Sequence, residues 1–171
     1  RDLGDMGLEV LMLTGDSAAS ARHVAGLLGL TEEQVRADLL PTDKEEVIDS
    51  LRRAGKQVAM VGDGVNDAPA LGAADVGIAM GTGTDVAREA GDVVLVGSAP
   101  ADLVETVRVA RRARRIIMVN FVGTIVVDVV GMVAAGLGLL GPVAAALVHV
   151  VSESAFILNS ARLVPRRTRR R

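Results

Sequence analysis

Three polar stretches carry residue types that could do chemistry together: Thr14-Gly15-Asp16, Lys44 within Pro-Thr-Asp-Lys, and Asp63, Asn66 and Asp67 within Gly-Asp-Gly-Val-Asn-Asp. A Thr hydroxyl and a Gly amide at a helix start can face a phosphate oxygen. Lys brings a compact positive charge to a phosphoryl group. Two carboxylates leaving a Gly-rich turn at a strand end can help hold a hard divalent cation such as magnesium. Each stretch alone has a plainer reading: a cap and turn, a Lys on a solvated helix start, ordinary Asp-Gly turns. Together they describe a site for phosphate and magnesium, with no obvious nucleophile in it. The chain has no Cys, which excludes disulfides, zinc-thiolate sites and thiol catalysis within it. Of its two His, His23 reads as an ordinary helix-surface residue and His149 falls in an apolar stretch.

These residues need elements to hold them. The runs 9–13, 58–61, 76–80 and 93–96 read as short buried parallel strands, and 16–30 and 42–55 as amphipathic helices with an N-cap candidate at the start and Gly near the end. Strands alternating with helices predict a layered, Rossmann-like α/β fold, whose sites lie at the carboxyl ends of the strands. All three polar stretches follow a strand or open a helix, as that rule requires. Asp75, just before the third run, reads as a cap or turn residue.

The chain divides by charge. Residues 1–107 hold 8 basic and 19 acidic side chains, net −11, whereas residues 108–171 hold 11 basic and 2 acidic, net +9. Residues 116–140 contain one ionisable group, Asp128, in a stretch longer than the roughly 20 residues that cross a bilayer. After Gly141-Pro142, residues 143–163 give a second stretch with His149, Glu153 and Asn159 inside. Arg-rich segments at 108–115 and 164–171 flank the pair, while the turn between has no charge. The positive-inside rule then places both ends in the cytoplasm. A buried soluble hairpin with a nucleic-acid patch is the competing reading; it fits poorly, because the helices lack a polar face and the Arg runs lack interleaved aromatics. No nucleic-acid partner is therefore expected.

In order along the chain, "MLTGDS", "PTDK", "VAMVGDGVNDAPALGAADVGIAMGTGTDVAREAGDVVL" and the Arg-led hairpin resemble the C-terminal part of a P-type ATPase. A chain ending after two spans and a basic tail is similar to the heavy-metal-transporting branch. The resemblance implies a partial phosphorylation domain of haloacid-dehalogenase-like fold over 1–107, a basic cytoplasmic linker over 108–115, transmembrane helices over 116–140 and 143–163, and a basic cytoplasmic tail over 164–171. It implies a multi-pass protein of the cell membrane with the phosphorylation domain in the cytoplasm. Its partners would be the transported cation, the lipid bilayer and the remaining domains of the parent.

Residue by residue, the resemblance implies that Thr14, Gly15 and Asp16 line the phosphorylation site and that Lys44 offsets charge on the transferring phosphate. Asp63 would be a magnesium ligand, with Asn66 and Asp67 completing the magnesium and phosphate network. The phosphorylated Asp of such pumps, in Asp-Lys-Thr-Gly-Thr, is absent from the 171 residues. The chain, which opens without Met, is thus expected to be a piece that does not hydrolyse ATP alone, with ATP bound mainly by other parts of the parent. Ionisable groups inside a membrane are functional candidates by default, so Asp128, His149 and Glu153 are the expected ligands of the transported ion or proton-linked groups; the plainer reading is that they pair with each other. Asn120 and Asn159 are weaker candidates. The patterns typical of copper pumps (Tyr-Asn and Met-Ser-Ser), of zinc pumps (a helix Lys and Asp-Thr-Gly) and of cobalt-type pumps (His-Glu-Gly) are all absent, and hard or borderline ligands fit zinc, manganese, cobalt or nickel better than monovalent copper, which leaves the choice among those four open. The alternatives to a pump are a membrane-tethered haloacid-dehalogenase-like phosphatase, which would need its own Asp nucleophile, or a degenerate regulatory subunit.

Overall fold

The computed structural model describes residues 1–63, 65–81, 83–97 and 99–163; the basic tail expected over 164–171 lies outside them. The chain separates into two compact units, Arg1–Val104 and Glu105–Arg171.

In the first unit a short helix α1 (Asp2–Asp5) precedes β1 (Met12–Leu13), α2 (Ala18–Leu28), β2 (Val35–Arg36) and α3 (Pro41–Arg53). Then come β3 (Ala59–Gly62), α4 (Ala68–Ala73), β4 (Val76–Ala79), α5 (Asp85–Ala90) and β5 (Val93–Val94). Every strand pairing is parallel: β1 with β2, Met12 opposite Val35; β3 with β4, Ala59 opposite Val76; and β4 with β5, Ile78 opposite Val93. Among the described residues these form two separate sheets, β1-β2 and β3-β4-β5. Helices intervene between consecutive strands, as parallel pairing demands.

Local sequence explains the helix limits. Ser17 caps α2 by accepting the Ser20 amide, and Gly29 ends it in the left-handed region at φ 72°. Pro41 opens α3, and the Asp43 carboxylate accepts the Leu40 amide at 2.8 Å. Arg52 and Arg53 close α3 where positive charge suits the helix dipole. The core is built from small residues around two large ones: Ile48 and Leu71 are fully buried, with Met60, Ala70 and Ala87 packed on them. Asp75 ties the layers, its carboxylate accepting the Val58 amide at 2.8 Å and the Arg52 Nε at 3.0 Å. The cap-or-turn expectation for Asp75 matches this position.

Two expected strands shorten. Only Met12–Leu13 of the first run and Val93–Val94 of the last are strand. Helices α4 and α5 occupy a Gly- and Ala-rich stretch whose weak apolar periodicity conceals them.

The second unit is almost entirely helical. Helix α6 runs unbroken over Pro100–Gly136, 37 residues, about 55 Å at 1.5 Å per residue. Helix α7 covers Pro142–Ser160 and tightens into a 3₁₀ turn over Ala161–Leu163. Both are long and apolar enough to cross a membrane, and their apolar side chains face outward, with Phe121, Val133 and Ile157 all exposed. Three expectations are corrected here. Residues 108–115 are not a linker but the interior of α6, since Arg and Ala are strong helix formers. The first apolar helix stops at Gly136, and 137–140 form a turn with Gly138 at φ 74°. The unit boundary falls after Val104 rather than 107.

Candidate active site and hairpin cluster

The carboxyl end of β3 sets the first half of the site. Asp67 closes a 3₁₀ turn over Val65–Asp67 and opens α4. Its side chain folds back over Gly62: a Cβ built there would lie 2.6 Å from the Asp67 Cβ. Only Gly fits so close an approach. So placed, Asp67 Oδ1 meets Lys44 Nζ at 2.6 Å, and each side chain is 14% exposed. Lys44 stands in the first turn of α3, where Pro41 and the Asp43 cap fix its direction. Removing either partner of a pair so shielded from water would strand the other charge, which costs more than at an exposed pair.

The second half follows β1. The Thr14 amide donates to the Arg36 carbonyl at 2.9 Å, and the Leu39 amide donates to the Thr14 carbonyl at 3.1 Å. Leu40, the next residue, starts the helix that carries Lys44. The backbone therefore links Thr14-Gly15-Asp16 to Lys44 within a few residues, although they lie 30 apart in sequence. The Asp16 amide donates to Thr14 Oγ1 at 3.1 Å, which orients the hydroxyl and leaves its hydrogen to point elsewhere. Two amides in the first turn of α2 are already capped: Ala18 donates to Asp38 Oδ2 at 3.2 Å and Ser20 to Ser17 Oγ.

Asp63 and Asn66 are exposed beyond β3. The Asp63 carbonyl accepts the Thr84 amide at 3.0 Å, and a Cβ on Gly83 would come within 2.9 Å of that carbonyl oxygen. Among the described residues the Asp63 carboxylate makes no hydrogen bond or ion pair, and no trio of His and carboxylate groups converges as a metal-holding set. Magnesium suits this arrangement nonetheless, because it takes one or two carboxylates and completes its shell with water and phosphate oxygen. The Asp63 carboxylate is exposed, and Asp67 has one oxygen on Lys44. A cavity of about 620 Å³ lined by Asp49, Arg52, Lys56 and Asp75 lies at the opposite ends of the strands. Its Asp75 and Arg52 are engaged with each other, so it is a structural seam. His23 is exposed on α2.

In the hairpin, His149 stands between two carboxylates. Its Nδ1 lies 3.4 Å from Asp128 Oδ1 and its Nε2 3.3 Å from Glu153 Oε1. Glu153 is one helical turn from His149, whereas Asp128 comes from α6. A second cluster joins the helices further along: Asn159 Nδ2 donates to Asn120 Oδ1 at 2.7 Å, and Asn120 Nδ2 donates to Ser160 Oγ at 2.8 Å. Gly123 makes room for the Phe156 ring between them. His149 thus pairs with Asp128 through one ring nitrogen and with Glu153 through the other, as the plainer reading expects, and the two Asn bond to each other. Ser152 bonds its own helix at the His149 carbonyl.

Comparison with known proteins matches residues 1–75 to the haloacid dehalogenase-like hydrolase family. "Copper-transporting ATPase 1" of Mus musculus is 43% identical over 163 residues, 95% of this chain and 11% of that protein. "Copper-exporting P-type ATPase" of Staphylococcus aureus (strain MRSA252) is 42% identical over 95% of this chain and 20% of that protein. A crystal structure of a zinc-transporting PIB-type ATPase in its E2.Pi state superposes with a TM-score of 0.88 at 36% identity, covering 96% of this chain and 26% of that one. The chain spans about a tenth to a fifth of the length of the curated relatives it matches. Over nearly all of its length, then, the chain is similar in sequence and in fold to metal-transporting P-type ATPases.

Proposed function

We propose that the first unit supplies the phosphoryl-handling part of an ATP-driven metal transporter and that the hairpin supplies part of its membrane path. The observation that carries this reading is the shielded Lys44–Asp67 pair at the carboxyl end of β3, joined through Leu39 and Leu40 to the Thr14 loop. Phosphoryl transfer asks a protein mainly for position and for charge aimed at the moving oxygens. Asp67 holds the Lys44 ammonium in place, and Lys44 offsets charge on those oxygens. Thr14 and Gly15 orient the group from the other side, and Asp16 shapes their turn through its bond to Thr14. Asn66, exposed in the same turn, would help complete the magnesium and phosphate network. Magnesium, when held by Asp63, would neutralise phosphate charge.

The acceptor of such a transfer is expected to be an Asp outside these 171 residues. Strands β1 and β3 each pair on one side only among the described residues, which supports a further parallel strand delivering that Asp beside Thr14 and Lys44. Its phosphorylation and hydrolysis would be the covalent cycle that drives transport. Replacing Asp63 with Ala in the full-length protein should abolish magnesium-dependent phosphoenzyme; normal phosphoenzyme would refute the assignment.

Asp128, His149 and Glu153 are our candidates for the cargo, with the phosphorylation unit in the cytoplasm and export across the cell membrane. The named relatives move copper and zinc, but an imidazole with two carboxylates suits a borderline divalent ion such as zinc. Metal-stimulated ATPase activity of the three Ala variants, assayed with several metals, tests both the site and the ion.

A further inference from the structure

We propose that Asp38 is a positioning residue for the phosphate-facing loop, a role that rests on the function proposed above for Thr14-Gly15-Asp16. Asp38 is the one described residue other than Gly with positive φ, at 54°. This backbone region is unfavourable for any side chain, though Asp and Asn tolerate it best. Strain of that kind persists where the surroundings hold it in place. Here they do so from three directions.

The Asp38 amide donates to the Asp16 carbonyl at 2.8 Å, and the next amide, Leu39, donates to the Thr14 carbonyl at 3.1 Å. The Asp38 carboxylate accepts the Ala18 amide at the start of α2, at 3.2 Å. The Leu39 carbonyl oxygen lies 3.1 Å from where a Cβ on Gly15 would be. Residues 38 and 39 therefore form the back wall of the Thr14 turn, and the left-handed step at Asp38 lets one short segment grip both the turn and the helix behind it.

The carboxylate also has an electrostatic consequence. A helix N-terminus attracts anions, and α2 begins two residues after Asp16. With Asp38 seated on the Ala18 amide, that attraction is already answered. An incoming phosphoryl group is then directed to the Thr14 hydroxyl and the Gly15 amide, and kept from sliding toward α2. Asp38 touches no reacting atom in this scheme; it acts through the turn it holds.

The test compares Asp38→Ala, Asp38→Asn and Asp38→Gly in the full-length transporter, reading inhibition by orthovanadate, a phosphate analogue, beside turnover, KM for ATP and thermal unfolding. Asn tolerates the left-handed backbone and can still accept from Ala18, so Asp38→Asn should stay within about twofold of wild type in vanadate affinity. Ala loses the capping bond and strains the backbone. Its vanadate affinity and turnover should fall about tenfold with KM for ATP unchanged, the size of a lost helix cap. Gly relaxes the backbone but brings no carboxylate, so Asp38→Gly should resemble Ala in vanadate affinity while folding at least as well. Wild-type vanadate affinity in the Gly variant would overturn the proposal by leaving the carboxylate no role, and so would wild-type behaviour in Ala. Lys44→Ala is assayed in parallel. If Lys44→Ala keeps normal phosphoenzyme, the functional reading of the whole site has failed; if it loses phosphoenzyme while the Asp38 variants are normal, only the Asp38 proposal has.

Discussion

Charged groups meet in both units, but on different terms. Lys44 and Asp67 approach to 2.6 Å with each side chain 14% exposed, and backbone bonds tie the Thr14 turn to the segment that leads into the Lys44 helix. His149 lies 3.4 Å from Asp128 and 3.3 Å from Glu153, with about half of each side chain exposed, on helices whose apolar residues face outward. The first arrangement is set before any ligand arrives, which suits a reaction that depends on preformed electrostatics. The second is half exposed, which would suit the ion site proposed above. The two clusters thus differ in shielding, a closed pair in the first unit and an open trio in the second.

The contrast can be broken most sharply at the closed pair. Asp63→Ala or Lys44→Ala should lower phosphoenzyme formation by about 100-fold or more, the scale on which one preorganised electrostatic contact counts in catalysis. Acid-quenched labelling with γ-labelled ATP measures it, and a loss below threefold would erase the distinction. Packing gives the next effect. Leu71→Ala, in the closed core of the first unit, should cost about 2–5 kcal/mol, read as a lower thermal unfolding midpoint. Ile157→Ala, on an outward face of α7, should leave the midpoint of the membrane-embedded protein nearly unmoved.

At the open trio, His149→Ala should reduce metal-stimulated ATPase activity about tenfold, equivalent to about 1.4 kcal/mol, while phosphorylation by inorganic phosphate continues. Loss of both would mean that His149 serves folding and not the ion. The smallest effect concerns Asp75, whose carboxyl is held below its ordinary value of 3.8 chiefly by the Val58 amide, with Arg52 adding to it. A carboxylate lowered by folding stabilises above its unfolded pKa, and that contribution disappears as pH falls through the folded pKa. Hydrogen exchange at the Val58 amide should therefore accelerate below about pH 4 beyond its intrinsic rate, and Asp75→Asn should flatten that response.

The parts that the sequence disclosed are those with chemical words in them. Lys44 and Asp67 lie 23 residues apart, yet their types and their places after predicted elements are enough to put them in one site. Asp128, His149 and Glu153 stand out because charge is rare in apolar runs. Asp38 carries no such mark. Its importance comes from a backbone angle and two hydrogen bonds, and Ala-Asp-Leu-Leu reads as any loop. Helices α4 and α5 were concealed because Ala and Gly bury without producing a strong apolar stripe. The segment 108–115 misled in the opposite way, since a run of Arg resembles a solvated tether although Arg and Ala together extend a helix.

Gly62 carries a consequence for how this sequence can drift. Its missing side chain is the room into which Asp67 folds, so every one of the alternative amino acids obstructs it equally at the first atom. At Asp67 itself a mutant keeps some of the shape and some of the polarity. A saturation library selected for metal tolerance would then show a flat wall of depletion at Gly62 and a graded slope at Asp67: the most intolerant position in the turn would be the one with nothing to contribute to the reaction.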